Sequence, residues 1–216
     1  MGMICTMIST NFQLTVLTRD RYQRIAKFYD FMETLPERKY HLWRKKLWSF
    51  VQGTRVLEVG VGTGMNIPFY PSPVSVTGIE LTSGMHDQAI QRAAVLGVSP
   101  DLRLGDVQNL TFPDASFDCV VATFVFCSVP DPVLGLREIK RVLKPGGKLF
   151  LLEHVRSSQL IIGKMMDMLN PFVVRMMGAN INRMTVENVQ VAGLAIEYIE
   201  NLDGLGIFRL IIARVE

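Results

Sequence analysis

A short glycine-rich stretch is the feature that most constrains what this chain can fold into. Residues 55–64 read RVLEVGVGTG, so Gly60, Gly62 and Gly64 follow an apolar run that contains Glu58. Glycine lets the backbone turn sharply with no Cβ in the way, and the main-chain N–H groups at the start of the next helix can then approach a ligand closely. The stretch therefore predicts a nucleotide-like ligand lying against the backbone at the end of a first strand.

The spacing of the glycines argues against a dinucleotide. The dinucleotide-binding fingerprint is G-x-G-x-x-G, whereas this chain has G-x-G-x-G. A carboxylate at Glu58 would repel a pyrophosphate and would favour an ammonium group. A nicotinamide-dependent oxidoreductase is therefore the disfavoured enzyme class.

Two further strand patterns also end in an acid. Residues 74–80 (VSVTGIE) end in Glu80, and residues 102–106 (LRLGD) end in Asp106. The end of the second strand is where folds of this kind hydrogen-bond the hydroxyls of a ribose, so Glu80 is the ribose candidate. Asp106 follows a glycine, and an ordinary turn residue is its alternative role.

Strand and helix patterns alternate along the chain in the order typical of parallel βαβ units. We expect helices over residues 21–35 and 37–51, and a further helix over residues 133–143 that ends before Pro145. A methionine-rich helical pattern over residues 160–177 should be divided in two at Asn170–Pro171. We predict strands near residues 55–59, 75–80, 101–104, 117–123 and 147–154, and a closing hairpin of residues 195–200 and 207–214.

The chain resembles the class I S-adenosylmethionine-dependent methyltransferases from about Tyr22 to its C-terminus. Residues 57–64 (LEVGVGTG) look like their glycine motif, and residues 142–149 (VLKPGGKL) look like their late helix-to-strand turn. Residues 22–30 (YQRIAKFYD) are similar to the opening of quinone-biosynthesis and bacterial phospholipid N-methyltransferases. The resemblance implies an α/β, Rossmann-like three-layer sandwich with a seven-stranded, mostly parallel sheet and an antiparallel closing strand.

A second group of motifs narrows the resemblance. Residues 126–132 (FCSVPDP), residues 153–157 (EHVRS) and the pair Asn182–Arg183 look like bacterial phosphatidylethanolamine methyltransferases and related methyltransferase-like thiol enzymes. These relatives imply a lipophilic acceptor. The amine of a phosphatidylethanolamine-type phospholipid is the first choice, C-methylation of a demethylquinol the second, and S-methylation of a small thiol the third.

The resemblance also implies roles for individual residues. Tyr22 and Tyr29 are seven residues apart on one helical face, where they could close over the cofactor as a lid. His154 is the candidate general base, with a structural role as its alternative. Asn182 and Arg183 are expected to meet a polar or phosphate head group, although Arg183 could equally be a surface residue. The implied S-adenosyl-L-methionine site consists of Glu58, Gly60, Gly62, Gly64, Glu80, Leu81, Asp106, Val107 and Thr123.

Four residues, Gln23, Lys27, Met65 and His86, differ from those that the resemblance leads us to expect. A cofactor-binding regulator without catalytic activity is therefore the alternative class of function. The three histidines and three cysteines show no metal-ligand spacing, so we predict no metal site. The odd number of cysteines, without a Cys-x-x-Cys pair, suggests a reducing compartment and a cytoplasmic protein.

Length and charge set the remaining expectations. A chain of 216 residues with 49% apolar residues suits one domain over residues 19–216, with a helical lid at 19–52, an acceptor-side insertion at 155–192 and a flexible or surface-binding segment at 1–18. Residues 19–55 carry ten Lys or Arg against four Asp or Glu. Their aromatic positions could lie on an anionic membrane or pack onto the domain. We expect no transmembrane helix and no nucleic-acid partner, with peripheral contact at the inner membrane surface as a possibility. The oligomeric state is open.

Overall fold

One seven-stranded sheet organises the chain. The computed structural model describes the backbone from Gly2 to Glu216 and the side chains from Asn11 onward. The strands are β1 (Arg55–Val59), β2 (Ser75–Glu80), β3 (Asp101–Leu104), β4 (Phe117–Thr123), β5 (Leu143–His154), β6 (Ala195–Asn201) and β7 (Phe208–Arg214). The helices of this part of the chain are α1 (Gly2–Ser49), α2 (Ser83–Leu96), α3 (Pro132–Val142), α4 (Leu160–Met177) and α5 (Thr185–Val191).

The strand order is β3-β2-β1-β4-β5-β7-β6. Strands β1 to β5 are mutually parallel, and β7 runs antiparallel to both of its neighbours, β5 and β6. The predicted mostly parallel sheet with a closing hairpin is therefore confirmed. The predicted start of β5 is wrong by four residues, because Leu143 already pairs with Phe117 ahead of a register shift in β4.

Alternate residues of the central strands face opposite sides of the sheet, as a pleated strand requires. On one side, Leu57, Val120 and Leu149 pack with the buried face of α3. On the other side, Val56 and Val121 pack with the last turns of α1. Both faces are thus covered by helices, which explains the nearly continuous apolar runs of these strands.

The aromatic stripe of α1 faces the protein. Trp43, Leu47, Trp48 and Val51 are buried against β1, β4 and β5, and Tyr40 packs against the same cluster. The packing alternative is therefore correct for these residues, whose burial leaves them unable to reach a membrane. Phe50, the other member of the predicted stripe, is 38% exposed. None of the described helices contains a stretch apolar and uncharged enough to cross a membrane.

Both predicted helix breaks are wrong. Pro36 lies inside the single helix α1, and Pro171 lies inside the single helix α4. A proline within a helix removes one backbone hydrogen bond. Pro171 leaves free the carbonyl of Asp167, four residues earlier, and Asp167 is an exposed residue to which water has access. The proposed segment at 1–18 and the other domain divisions stay predictions. The side chains of residues 1–10, which include Cys5, lie outside the described residues.

Candidate active site

A pocket lies beside β1, at the point where the strand order switches from one side of this strand to the other. The chain builds outward from β1 through β2 to β3, then returns to place β4 on the other side of β1. In open α/β sheets, ligands bind beyond the carboxyl ends of the strands at such a switch point. The pocket here encloses about 940 Å³, including its open mouth, and is lined by residues that follow β1, β2, β3 and β4.

The glycine loop after β1 forms the floor of this pocket. Gly60, Gly62 and Gly64 all have positive φ angles, of 68°, 60° and 85°, which residues with a Cβ rarely adopt. A Cβ on Gly60 would lie 2.5 Å from Val125 Cγ2, whereas a Cβ on Gly62 would meet nothing within 4 Å. Gly60 and Gly62 line the pocket, and Gly64 instead packs against α2 at Ala89.

Glu80 joins the glycine loop to the end of β2. Its Oε2 accepts a hydrogen bond from the Gly62 N–H at 2.9 Å, and its Oε1 accepts from the Thr82 N–H at 3.0 Å and from Thr82 Oγ1 at 2.9 Å. The side chain is only 8% exposed and lines the pocket. A carboxylate has about four lone-pair sites, so Glu80 retains capacity to accept a hydrogen bond from a ligand.

Glu58 lies behind the pocket wall instead of in it. It is fully buried, and its carboxylate accepts hydrogen bonds from Tyr70 Oη and from Asn66 Nδ2, the latter at 2.6 Å. Burial raises the pKa of Glu58 to about 7 despite these hydrogen bonds. Glu58 was predicted to contact the cofactor, but it does not line the pocket. Asn66, its hydrogen-bond partner, lines the pocket at this point.

Asn66 connects several parts of the site. Its Nδ2 also lies 3.0 Å from Thr123 Oγ1 at the end of β4, and its Oδ1 accepts from Arg44 Nη1 at 3.0 Å. Arg44 is buried, lines the pocket and forms an ion pair with Glu37 at 3.0 Å. Sequence reasoning missed both residues. The position of Asn66, two residues after the last loop glycine, was the one signal in the sequence. If the helix over residues 37–51 packs onto the domain, its basic pattern predicts a solvated Arg44, and that prediction is wrong because Arg44 is buried.

Helix α1 forms a second wall of the pocket. Thr18, Tyr22 and Tyr29 line it, and the two tyrosine ring centroids are 6.5 Å apart. Burial raises the pKa of both tyrosines, so their hydroxyls stay protonated at neutral pH. The structure therefore brings the predicted lid residues to the pocket as hydrogen-bond donors.

Two residues of the N-terminal opening sequence attach α1 to the rest of the site. Gln23 Oε1 accepts from the Gly84 N–H at 2.9 Å, at the start of α2. Asp30 accepts from Thr63 Oγ1 at 2.6 Å in the glycine loop and pairs with Arg92 of α2. Gln23, which departs from the resemblance, thus has a structural role in fastening α1.

The loop after β4 is held by a second buried acid. Phe124 has a positive φ of 58°, an uncommon conformation for a bulky residue, and lines the pocket together with Val125. Glu153 Oε1 accepts from the Val125 N–H at 3.0 Å and from the Phe126 N–H at 3.2 Å. Burial raises the pKa of Glu153 to about 7. Sequence reasoning treated Glu153 only as part of a motif.

The remaining predicted cofactor residues lie around the pocket. Leu81, Val107 and Thr123 contribute to its lining, as does Asp106. Asp106 Oδ1 accepts from the Gln108 N–H at 2.9 Å, which is the pattern of a turn-forming aspartate. Asp106 is thus a turn residue and a pocket residue at once.

Besides Glu58 and Gly64, three further predicted residues lie outside the pocket lining. His154 is half-buried with its ring edge on Phe208, and burial lowers its pKa. Asn182 Nδ2 donates to Asp167 Oδ1 at 3.1 Å. Arg183 Nη2 donates to the Val129 carbonyl at 2.6 Å, so it lies behind a lining residue. The geometry does not bring these three side chains together with the glycine loop.

Comparisons with known proteins agree with this geometry. Residues 57–151 match the family described as "Methyltransferase domain". A demethylmenaquinone methyltransferase from Staphylococcus aureus is 32% identical over 165 residues, which are 73% of this chain and 68% of that protein. This chain belongs to the class I S-adenosylmethionine-dependent methyltransferases.

A phosphatidylethanolamine N-methyltransferase from Cereibacter sphaeroides is 42% identical to this methyltransferase over 105 residues, or 48% of the chain. The match spans about half, 52%, of that relative. The crystal structure of a Thermotoga maritima S-adenosylmethionine-dependent methyltransferase, described as a possible histamine N-methyltransferase, has a TM-score of 0.69. It covers 91% of this chain and 99% of that protein at 22% identity, a likeness of fold alone.

The methyltransferase pocket fits its cofactor, S-adenosylmethionine. The open space beside Gly62 leaves room for a ligand against the backbone, since a Cβ there would meet no protein atom within 4 Å. The buried carboxylate of Glu80 suits the hydroxyls of a ribose, and the apolar side chains of Ile79, Met85 and Val107 suit an adenine ring. Tyr22 and Tyr29 line the pocket, and a tyrosine ring can attract a cation such as a sulfonium.

Proposed function

We propose that this methyltransferase N-methylates the amine of a phosphatidylethanolamine-type phospholipid. One observation carries the choice of an amine: among the described residues, the pocket lining contains no histidine, and its two acids, Glu80 and Asp106, are the cofactor candidates. A nucleophile that loses its proton without a dedicated base suits such a pocket. Transfer into an apolar site lowers the pKa of an ammonium group, so an amine is neutralised by burial itself.

The pocket lining supports a lipophilic acceptor. Phe124, Val125, Val129 and Pro130 form an apolar wall beside the end of β4. Arg44 is the single Lys or Arg of the described lining, and its guanidinium suits the phosphodiester of a phospholipid head group. The similarity to a phosphatidylethanolamine N-methyltransferase supports the same class of acceptor.

In this proposal the protein acts mainly by positioning. S-adenosylmethionine, when bound, supplies an electrophilic methyl group on a sulfonium. Glu80 and the Gly60–Gly62 backbone hold the nucleoside and methionine portions on the floor of the pocket. Tyr22 and Tyr29 exclude water from above, and Thr123 with Phe124 borders the acceptor. Holding donor and nucleophile close and in line in a dry site is the main requirement of such a displacement.

C-methylation of a demethylquinol is the second candidate. The relative that covers the larger share of the chain carries the name demethylmenaquinone methyltransferase. A quinol carbon becomes nucleophilic when a ring hydroxyl loses its proton, and His154 was the residue expected to accept it. His154 lies outside the described pocket lining, which ranks this acceptor second. A small thiol ranks third, and a non-catalytic cofactor-binding regulator is the alternative class.

The test is a methyl-transfer assay with labelled S-adenosylmethionine. The acceptors are vesicles containing phosphatidylethanolamine, a demethylmenaquinol and a small alkyl thiol, each tested separately. We expect label in mono-, di- and trimethylated head groups. Glu80→Gln is the cofactor-site control, and Arg137→Glu on the exposed side of α3 is a control outside the pocket.

Label in the quinol or the thiol, with none in the lipid, would contradict the amine proposal. Cofactor binding by calorimetry without turnover of any acceptor would favour the regulator. Turnover that Glu80→Gln leaves intact would contradict the assignment of the cofactor site.

A further inference from the structure

Helix α4 turns its apolar side chains away from the protein. Ile161, Met168 and Phe172 are 75%, 73% and 63% exposed, and Met176 is 68% exposed. Within the described part of the chain, α4 buries only Gly163 and Met166. A surface helix normally shows the opposite arrangement, with its apolar stripe against the core.

The exposed residues form a continuous stripe. Their positions recur at intervals of three or four, which places them on one face of the helix. Over 18 residues this face is about 27 Å long. We call it the α4 face, and its members are Ile161, Met165, Met168, Leu169, Phe172 and Met176.

The free charges beside the α4 face are positive. Lys164 and Arg175 are both exposed, and each follows a member of the face by three residues. The one acid of the helix, Asp167, is held by Arg156, whose Nη2 lies 2.8 Å from Asp167 Oδ2, and by Asn182. The α4 face therefore combines a large apolar surface with cations that form no ion pair with any described residue, which is the composition of a helix that lies in a membrane interface.

Helix α1 extends this surface toward the pocket. Arg21 of α1 packs against Gly178 at the end of α4, where an added Cβ would lie 2.9 Å from Arg21 Cδ. Thr18 and Tyr22, on either side of Arg21, line the pocket. Farther along α1, Phe31 is 83% exposed.

The exposed part of α1 has the same composition as the α4 face. Phe28 and Leu35 are 65% and 74% exposed, and both flank Phe31 at helical spacing. Arg24 and Lys27 are exposed beside them, and the exposed acid of this stretch, Asp20, lies 3.7 Å from Arg19 in an ion pair. Two helices that meet beside the pocket thus share an apolar and basic exterior.

We propose that the α4 face and the adjoining exposed residues of α1 dock onto an anionic lipid bilayer. Apolar side chains would enter the boundary between head groups and acyl chains, and Lys164 and Arg175 would meet the lipid charges. The proposal goes beyond the choice of acceptor and does not depend on it, because docking requires anionic lipid and not a methylatable amine.

A second copy of the chain is a poorer occupant of this surface. In a two-fold symmetric dimer the same patch faces itself, so Lys164 and Arg175 would approach the same residues of the other copy. The described residues of α4 offer no free acid to neutralise them, since Asp167 is already paired. Anionic lipid head groups supply that neutralisation directly.

The test is vesicle co-sedimentation of the full chain. The vesicles contain phosphatidylcholine with 30% phosphatidylglycerol and no phosphatidylethanolamine, so that docking is measured apart from any methylation of lipid. Each substitution in Met168→Asp/Phe172→Asp should weaken vesicle binding at least about tenfold, because each removes one large apolar side chain from the bilayer interface. The matched control is Ile90→Asp/Val95→Asp on α2, where both residues are also exposed and should leave binding unchanged.

A charge variant separates the two contributions. Lys164→Glu/Arg175→Glu should weaken vesicle binding by about 25-fold, from roughly fivefold for each of the two cations, and the loss should shrink at high salt. Equal vesicle binding by wild type, Met168→Asp/Phe172→Asp and Lys164→Glu/Arg175→Glu would overturn the proposal. A second result would also overturn it: wild type does not bind the vesicles but forms a dimer in sedimentation velocity, and Met168→Asp/Phe172→Asp dissociates that dimer.

Discussion

Glu58→Gln should flatten the pH dependence of stability. The carboxyl of Glu58 is fully buried, and its pKa rises from 4.5 to about 7 on folding. Between those two values the folded chain binds more protons than the unfolded chain, so the free energy of unfolding falls as pH rises. The stabilising protonated form is fully present below pH 4.5 and is lost as pH passes 7.

The size of the effect follows from the shift. At about 1.4 kcal/mol per pH unit, a shift from 4.5 to about 7 contributes roughly 3 kcal/mol between acid and neutral pH. Glutamine keeps the shape of the side chain and an oxygen that can accept from Asn66, and it does not titrate. The free energy of unfolding of wild type minus that of Glu58→Gln should therefore fall by roughly 3 kcal/mol across this window.

Urea denaturation at half-unit steps from pH 4.5 to 8 measures this difference. Glu153 titrates in both proteins, so its contribution cancels. Glu138→Gln is a control of opposite sign, because Arg141 lowers the pKa of Glu138 and its stabilisation is lost as pH falls. Parallel curves for wild type and Glu58→Gln would refute the reasoning.

Three further outcomes follow from the same geometry. Glu80→Gln should raise the dissociation constant for S-adenosylmethionine by roughly tenfold to a hundredfold, since a hydrogen bond to a charged group contributes about 1.5–3 kcal/mol; an unchanged constant in calorimetry would contradict this. Gly60→Ala should lower the thermal midpoint more than Gly62→Ala, because only at Gly60 does a Cβ meet a neighbour, Val125 Cγ2 at 2.5 Å. Equal midpoints would remove that distinction. Gln23→Ala should speed amide hydrogen exchange in α1 by freeing its attachment to the start of α2, and unchanged exchange would show that other contacts hold the helix.

The sheet could be predicted from local pattern because its central strands are buried on both faces. Runs such as residues 117–123 are short, apolar and bounded by turn residues, so their ends are marked in the sequence. The helix boundaries at Pro36 and Pro171 could not be predicted in the same way. Whether a proline ends a helix depends on where the freed carbonyl points, and exposure to water is a tertiary property.

The site was predictable where the backbone defines it and less so where side chains do. The glycines, Glu80 and Asp106 occupy positions fixed by strand ends, and all but Gly64 line the pocket. The Glu58 side chain turns into the interior because Asn66 and Tyr70 donate hydrogen bonds to its carboxylate there. No local pattern distinguishes a carboxylate that faces a ligand from one that faces a buried amide.

Strand β7 has a consequence for how the chain is made. It lies between β5 and β6, and Leu210, Ile211 and Ala213 are fully buried, so this late-synthesised strand is internal to the sheet. Until residue 214 leaves the ribosome, β5 presents an unpaired apolar edge from Leu149 to Leu152. A chain interrupted between β6 and β7 would therefore expose the edge of β5 and be prone to aggregation. Loss of β7 would also separate β6 from the rest of the sheet, whereas loss of an edge strand such as β3 would leave the other strands paired.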